Sequence, residues 1–268
     1  MNVMTSVPPF NYAEESPKVN QLWDKKFLLF LEDITAVFDG FKALDIKAMG
    51  VCHRELRVVI GPNGAGKTTM CDVISGKTRP TTGNVHFDGA EITHEAESLI
   101  ALKGVGRKFQ TPTVYDSLTT YENMELALPG HQRLWPNLFS RPTANQRDRI
   151  MSILEHARLA GQAETKAQHL SHGQRQWLAI SVLILSEPKL LLVDEPAAGL
   201  TDAETELTAE LLLELKDDHT IIVIEHDMDF VRQLDSFVTV LNEGQVMAEG
   251  TLQEVQKNEA VIEAYLGR

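Results

Sequence analysis

The sequence predicts an α/β fold built on a mostly parallel sheet, with a helical segment inserted into it. Four short apolar runs are continuous rather than alternating, as expected for strands that are buried on both faces. The runs are LRVVI (56–60), KLLLVD (189–194), TIIVIE (220–225) and FVTVL (237–241). Helical periodicity lies between them, and the region from residue 111 to about residue 170 lacks strand patterns, which indicates a helical insertion.

The first 26 residues form a polar, proline-containing stretch that has no basic start followed by an apolar core. This stretch therefore lacks the pattern of a secretory signal and is predicted to be a poorly ordered leader, residues 1–26. The folded domain is predicted to span residues 27–268.

The insertion is predicted to contain two helices, over residues 111–128 and 143–159, joined by a loop that contains proline and tryptophan. An apolar helix follows them and ends before Pro188. Together these segments predict a helical subdomain that covers about residues 111–186.

A later helix begins at Thr201, because Glu204 stands three residues further on and completes a capping box. After the last apolar run, residues 241–250 predict a turn and a short strand, and residues 252–266 predict a final helix. The helix that begins at Thr201 is predicted to carry one apolar stripe, formed by Leu207, Leu211 and Leu215.

The composition limits the possible functions. The 268 residues carry a formal net charge of −13, which argues against a general nucleic-acid binder, since such proteins need a basic surface. The two cysteines, Cys52 and Cys71, do not suggest a disulfide framework, and this favours a reducing compartment. The longest apolar run, 178–185, is shorter than the roughly 18 residues that a membrane-spanning helix needs.

The stretch GPNGAGKT (61–68) matches the phosphate-binding pattern G-x-x-x-x-G-K-[ST], and it lies between a predicted strand and a predicted helix. Its glycines allow backbone N–H groups and the helix N-terminus to face a phosphate chain. Lys67 supplies a cation for the outer phosphates, and the Thr68 hydroxyl is a candidate Mg²⁺ ligand. The predicted phosphate-binding residues are Gly61, Asn63, Gly64, Ala65, Gly66, Lys67, Thr68 and Thr69.

Polar side chains follow the other predicted strands, at the edge where open α/β sheets bind ligands. Asp194 and Glu195 end an apolar run, and buried acids there need a cationic or hydrogen-bonding partner. Asp194 is therefore a candidate Mg²⁺ ligand, and Glu195 is placed to polarise a water that attacks a γ-phosphate. His226 follows a third strand, and Gln110 in KFQTP is predicted to close the site. Each of these residues, taken alone, is also compatible with a structural role.

The order of the motifs resembles the ATP-binding subunit of ABC transporters, from about residue 27 to the end. The motifs are GPNGAGKT, KFQTP, LSHGQ, LLLVDE, GLTDAE and VIEHD. The resemblance implies a P-loop NTPase core with an N-terminal antiparallel β subdomain, and it implies ATP and Mg²⁺ as ligands. It also implies that two such subunits sandwich two ATP molecules head to tail.

The resemblance also implies a role for each motif residue. Glu195 would be the general base, His226 the γ-phosphate switch, and Gln110 a contact to the metal and the attacking water. Asp202 would lie on the loop that crosses the dimer interface, and Phe38 would stack on adenine, although a core phenylalanine is the alternative. The residues implied to face the γ-phosphate held by the opposite subunit are Ser171, Gly173 and Gln174.

Within that family, three stretches are most similar to the ATP-binding subunit of urea importers: GPNGAGKTTMCDVISGKTRPTTG, DEPAAGLTDAET and the ending AYLGR. Urea or a short amide is therefore the predicted solute, with branched-chain amino acids as the alternative. The sequence departs from the family pattern in two places. The stretch CHRELRVVI lacks the glycine that usually precedes the strand, and His53 and Arg54 stand near there, which is expected to alter only a turn. His172 replaces the first glycine of a pair.

The implied partners are a second ATP-binding subunit, transmembrane permease subunits and, indirectly, a solute-binding protein. Docking to the permease is expected through the helical insertion near Gln110 to Tyr121, at the cytoplasmic face of the inner membrane. Nucleic acid is not an expected partner.

Other ATPase classes fit the sequence less well. A nucleic-acid-remodelling ATPase with the same ATP-binding motifs would need long coiled coils or DNA-contacting domains, a GTPase would need an N-K-x-D motif, and a metabolic kinase would not need LSHGQ. A non-hydrolysing regulatory module is disfavoured by Glu195.

The stretch HLSHGQ raises a separate question about its two histidines. Ser171 and Gln174 form a capping box that starts an apolar helix. His169 and His172 have no cysteine or acidic ligand nearby to complete a tetrahedral set, so a metal pair is not predicted. We hypothesise that His172 tunes dimer closure, in which case replacing it with glycine changes the ATPase activity and its pH profile between about 5.5 and 8.

Overall fold

The computed structural model describes residues 27–108, 114–128 and 142–266. The predicted leader and Gln110 lie outside these residues. The strands are β1 (Phe27–Phe38), β2 (Phe41–Cys52), β3 (Leu56–Ile60), β4 (Thr82–Phe87), β5 (Ala90–Glu91), β6 (Val105–Lys108), β7 (Leu190–Asp194), β8 (Thr220–Ile224), β9 (Phe237–Asn242) and β10 (Gln245–Thr251). The α-helices are α1 (Lys67–Ile74), α2 (Glu97–Leu102), α3 (Thr120–Leu126), α4 (Ala144–His156), α5 (His172–Leu185), α6 (Asp202–Leu215), α7 (Met228–Leu234), α8 (Leu252–Val255) and α9 (Glu259–Leu266).

A six-stranded sheet forms the core, in the order β10-β9-β3-β8-β7-β6. The pairs among β9, β3, β8, β7 and β6 are parallel, and β10 pairs with β9 in antiparallel fashion. Every residue of β3, β7 and β8 is buried, as expected when helices or a second sheet cover both faces. The predicted α/β fold with a mostly parallel core sheet is confirmed.

The register of the central strands aligns their carboxyl ends. Val59 near the end of β3 pairs with Ile224 at the end of β8, and Ile224 in turn pairs with Asp194 at the end of β7. The loops that follow these three strands therefore leave the sheet side by side, on one edge.

A second, antiparallel sheet has the order β2-β1-β4-β5. Its buried side chains share one apolar cluster with α1 and with one face of the core sheet. This arrangement confirms the N-terminal antiparallel β subdomain that the family resemblance implied. The turn between β2 and β3 contains Arg54 at φ 56°, a left-handed conformation, and the Arg54 N–H donates to Thr220 Oγ1 at 2.8 Å. The missing glycine near His53 and Arg54 therefore falls in a turn.

The helical part of the structure packs α3, α4 and α5 around one apolar cluster. The predicted helix over 111–128 is confirmed only over Thr120–Leu126, which form α3; the described residues before Thr120 are not helical, so the predicted start is wrong. Thr119 and Glu122 form a capping box that starts the helix, and the residues before it form a turn. The predicted helix over 143–159 corresponds to α4, which Thr143 caps and which ends at His156. The boundaries 111–186 of the helical subdomain stay a prediction.

The C-terminal segment contains two helices where one was predicted. Thr251 and Glu254 form a capping box that starts α8. Asn258 Oδ1 then accepts hydrogen bonds from the N–H groups of Ala260 and Val261, which starts α9 afresh. Across the described residues, no helix combines the length and the apolar character that a membrane crossing requires.

Candidate active site

The loop between β3 and α1 can be built only with glycine at particular positions. Gly64 and Gly66 have φ of 81° and 99°, in the left-handed region. A Cβ atom on Gly66 would lie 2.6 Å from the carbonyl oxygen of Ala43, and one on Gly61 would lie 2.2 Å from the carbonyl oxygen of Leu241. The loop is therefore held tightly against the two sheets. Gly66 caps α1 without a side-chain hydrogen bond, and the first N–H groups of this eight-residue helix face the loop.

Lys67 is buried at the start of α1, with 8% of its surface exposed. Its Nζ donates to the carbonyl oxygens of Gly61 and Pro62, at 2.6 and 3.1 Å. Burial lowers the pKa of Lys67, while the negative charges of Glu195 and Asp194 raise it. A phosphate group close to Lys67 would further offset the cost of burying this cation.

Asp194 is the last residue of β7 and Glu195 follows it, and the two side chains have contrasting environments. Asp194 is 3% exposed, whereas the Glu195 side chain is 31% exposed. Glu195 has φ 47°, a left-handed conformation that is costly for a residue with a Cβ atom, and its N–H donates to the Ile224 carbonyl at 2.9 Å. Strand β7 ends at the buried Asp194, immediately before this left-handed residue.

His226 lies beside Glu195 at the same edge. Its Nδ1 is 3.6 Å from Oε1 of Glu195 and 3.9 Å from Oε2 of Glu225. The structure therefore brings together four residues that the sequence placed at one sheet edge, namely Lys67, Asp194, Glu195 and His226. The carboxylate of Asp194 and the hydroxyl of Thr68 are hard oxygen donors, which fit the ligand preference of Mg²⁺.

Glu225 was not predicted to be part of the site. Its carboxylate is buried, with 1% of the residue exposed, and it accepts hydrogen bonds from the N–H groups of Ala197, His226 and Asp227 at 2.9, 2.9 and 3.3 Å. The signal in the sequence was present, since Glu225 ends the apolar run TIIVIE as Asp194 ends KLLLVD.

The predicted capping box of α5 is confirmed. The Ser171 N–H donates to Gln174 Oε1 at 3.0 Å, and the Gln174 N–H donates to Ser171 Oγ at 3.2 Å. Ser171 Oγ also donates to Oε1 of Glu204 at 2.8 Å. His172 Nε2 lies 3.2 Å from the carbonyl oxygen of Ala198, so the start of α5 contacts the loop that follows β7.

Glu204 combines two functions at the start of α6. The predicted capping box with Thr201 is present, and Glu204 Oε2 accepts from the Thr201 N–H at 3.1 Å. Its pKa is lowered by hydrogen bonds, first from the Thr201 backbone, then from the Ser171 hydroxyl, and also from the Gly173 backbone. The capping-box spacing predicts the cap, but no sequence pattern indicates the contact of Glu204 with Ser171, which is 33 residues away in the chain.

The remaining predicted site residues lie at other positions. Phe38 is at the end of β1 and is 45% exposed, so it is not a core residue. Asp202 is exposed as the first residue of α6. Asn63 and Thr68 are exposed, and Thr69 is half-buried. Gln110 lies outside the described residues.

Two family models match parts of the chain. A family model described as ABC transporter matches residues 45–198. A second model, described as branched-chain amino acid ATP-binding cassette transporter, matches residues 245–268.

Two bacterial relatives are similar over most of the chain. The high-affinity branched-chain amino acid transport ATP-binding protein BraF of Pseudomonas aeruginosa is 34% identical over 249 residues, covering 90% of this chain and 98% of the relative. The corresponding protein LivG of Salmonella typhimurium is 35% identical over 251 residues, with the same coverage. These names match the branched-chain alternative rather than the urea prediction.

Solved structures show the same fold. An ATP-binding cassette of an ABC transporter in its ADP conformation gives a TM-score of 0.79 at 31% identity, covering 90% of this chain and 99% of that one. A dimeric cassette in a post-hydrolysis state, bound to ADP and phosphate, gives 0.71 at 28% identity, covering 84% and 98%. The chain therefore belongs to the family of ABC transporter ATP-binding subunits, the ATPases that power transport, and within it to the branched-chain amino acid group.

Proposed function

We propose that this chain binds ATP with Mg²⁺, hydrolyses it, and drives the uptake of branched-chain amino acids through a separate permease. The observation that carries the proposal is the meeting of Lys67, Glu195 and His226 at one sheet edge. This meeting follows from the strand register, in which Val59 and Asp194 both pair with Ile224.

The chemistry follows from the position of each group. Lys67 and the loop amides bind the phosphate chain, with Phe38 against the adenine. Glu195 accepts a proton from a water whose oxygen bonds to the γ-phosphorus, while the bond from that phosphorus to the bridging oxygen of ADP breaks. His226, 3.6 Å from Glu195, contacts the γ-phosphate. ADP and phosphate are the products.

Bound Mg²⁺ would neutralise part of the phosphate charge. The residues that would hold it are Thr68 and Asp194, with Gln110 as a further candidate. The buried carboxylate of Asp194 supports this assignment.

The active unit is proposed to be a dimer. Ser171, Gly173 and Gln174 at the start of α5 are proposed to face the γ-phosphate that the partner subunit binds, and Asp202 is proposed to lie at the interface. A solved relative is a dimer bound to ADP and phosphate, which supports this arrangement. ATPase activity per subunit is then expected to fall on dilution through the dimerisation range.

The first experiment is a Glu195→Gln variant assayed for ATP binding and hydrolysis. We expect the variant to bind ATP and to lose most of the ATPase activity, because the amide cannot accept the proton. Glu187→Gln is the matched control, since Glu187 is another acidic residue with a left-handed backbone, φ 53°, and is exposed after α5. Parental turnover in Glu195→Gln would rule out the general-base role.

The permease is proposed to dock at the helical insertion near residues 110–121, as expected from the sequence, and in the groove between α2, the β6 edge and the end of α5. Ala101, Leu102, Ala127 and Leu183 contribute apolar surface to this groove, and Leu102 is 83% exposed. Docking there would hold the subunit against the cytoplasmic face of the membrane. Leu102→Asp is expected to reduce co-purification with the permease while leaving ATP binding intact.

The identity of the solute is proposed from the names of the relatives, which refer to branched-chain amino acids. Urea is a second candidate, supported by the similarity of the stretches around residues 61–83 and 194–205. The test is ATPase stimulation of the reconstituted transporter and its solute-binding protein by leucine or by urea. Stimulation by urea alone would favour the second candidate.

A further inference from the structure

Glu225 is the most buried carboxylate at the ATP-binding edge, the edge of the core sheet where Lys67, Glu195 and His226 meet. All three described hydrogen bonds of its side chain come from backbone N–H groups. Oε1 accepts from the Ala197 N–H at 2.9 Å, while Oε2 accepts from the N–H groups of His226 and Asp227 at 2.9 and 3.3 Å. The residue is 1% exposed, so water cannot readily replace these bonds.

These bonds join two loops that carry proposed catalytic residues. Ala197 belongs to the β7 loop (residues 195–201), in which the Ala198 N–H donates to the Glu195 carbonyl at 3.2 Å. His226 and Asp227 belong to the β8 loop (residues 225–227). One carboxylate therefore fixes the β7 loop next to Glu195 and the β8 loop at His226.

The same connection extends to the start of α5. Ala198, next to Ala197, offers its carbonyl oxygen to His172 Nε2 at 3.2 Å. A displacement of the β7 loop would thus also displace the Glu195 side chain and the start of α5, which is proposed to face the partner's nucleotide.

We infer that Glu225 is a positioning residue for ATP hydrolysis, which sets the separation of Glu195 and His226 by holding the β7 and β8 loops together. This inference rests on the proposed function. A carboxylate suits the role because it offers only acceptors to the three N–H donors. A glutamine in its place would turn an NH₂ group towards at least one of those N–H groups.

The expected effect of Glu225→Gln is on turnover rather than on nucleotide binding, since Lys67 and the phosphate loop do not contact Glu225 through any described hydrogen bond. A displacement of about 1 Å at a reacting group can cost about 100-fold in rate. We expect kcat to fall by about 10- to 100-fold with KM for ATP changed less than about threefold. Glu225→Asp, which is too short to reach both loops, should also lose turnover.

The matched control is Glu249→Gln. Glu249 is another largely buried carboxylate, which bonds to Arg57 and Thr239 at the other end of the sheet. This control is expected to lower the melting temperature without lowering kcat per ATP-binding site. If Glu225 had only a structural role, its variants would behave in the same way.

The decisive measurement is a double-mutant cycle with His226→Ala, read together with amide exchange of the β7 and β8 loops. Glu225→Gln should increase exchange at Ala197 and His226, and it should reduce kcat much less in the His226→Ala background than in the parent. Full additivity of the two losses, or a kcat of Glu225→Gln within twofold of the parent, would overturn the inference. If Glu195→Gln keeps parental turnover, the proposed function itself fails instead.

Discussion

The hydroxyl of Ser171 donates a hydrogen bond to the carboxylate of Glu204, which ties the start of α5 to the first turn of α6. The backbone of Gly173 also hydrogen-bonds to this carboxylate. Ser171 and Gly173 are the donors proposed to face the partner's γ-phosphate. In the single subunit, Glu204 therefore accepts the hydrogen bonds that a phosphate oxygen is proposed to accept in a closed dimer.

Glu204→Gln is predicted to lower stability in a pH-dependent way. The folded-state pKa of Glu204 lies below its ordinary value, so its contribution is complete above about pH 4.3 and is lost as the pH falls through the folded pKa. Glutamine still completes a capping box, so the charge is the main change. We expect a loss of about 1 kcal/mol at pH 7, or about 2–4 °C in Tm, that shrinks towards pH 3. A Tm difference that is constant over this range would contradict the prediction.

Glu204→Gln is also predicted to favour the ATP-bound dimer. A neutral amide accepts the Ser171 hydrogen bond more weakly than a carboxylate does. The partner's γ-phosphate then competes with a weaker acceptor for the Ser171 hydroxyl. In the Glu195→Gln background, which retains ATP, dimerisation measured by sedimentation should occur at about fivefold lower ATP concentration, which corresponds to about 1 kcal/mol. A shift to higher ATP concentration would show that Glu204 supports closure instead.

Gly173→Ala should disturb the same contact. An alanine normally stabilises a helix by about 1 kcal/mol relative to glycine. At Gly173, however, the added Cβ would lie 2.6 Å from Cδ and Oε1 of Glu204, so that side chain must move. We expect Gly173→Ala to lose stability and ATPase activity, and Glu204→Ala in the same chain to restore part of the stability. Gly161→Ala is the control, because a Cβ there meets nothing within 4 Å.

His172→Gly is predicted to loosen the β7 loop. His172 Nε2 lies 3.2 Å from the Ala198 carbonyl, and its ring lies 3.6 Å from the Cβ position of Gly199. Loss of one such hydrogen bond should increase amide exchange in residues 195–201 by about two- to tenfold, and it should change the ATPase activity. His169→Gly is the control, since His169 is also exposed but bonds to Gln168 instead. Equal behaviour of the two variants would make His172 a neutral replacement.

Much of the fold could be predicted because its signals are local. Continuous apolar runs identified β3, β7, β8 and β9, and capping boxes at Ser171 and Thr201 identified the starts of α5 and α6. The errors have the same origin. The cap at Thr119 starts α3 later than helical periodicity suggested, and Asn258 starts a second helix where periodicity suggested one.

The candidate site was predictable where it follows from parallel topology. Four predicted residues meet because each lies at the carboxyl end of a parallel strand or in the segment just beyond it. They are Lys67, Asp194, Glu195 and His226. The contacts of Glu225 and Glu204 depend on partners 28 and 33 residues away, and no spacing rule links them. Only the folded arrangement of the loops shows these contacts.

Arg57 offers a test of stability away from the ATP-binding edge. The residue is 4% exposed within β3, and its guanidinium donates to Glu55 and Glu249 at 2.6 Å each and to Thr239 at 2.8 Å. Its guanidinium carbon also lies 4.4 Å from the centre of the Phe237 ring. Removing this cation leaves the largely buried carboxylates of Glu55 and Glu249 without its charge.

Arg57→Met is therefore predicted to cost about 3–5 kcal/mol, the usual consequence of breaking a buried ion pair by removing one partner. Lys42→Met is the control, because the Lys42–Asp45 pair has 53% of the lysine side chain exposed and should cost less than about 1 kcal/mol. Urea unfolding measures both values, with an unchanged m-value as evidence that only stability has changed. If Arg57→Met loses no more than Lys42→Met, the network of Arg57 with Glu55 and Glu249 does not stabilise β3.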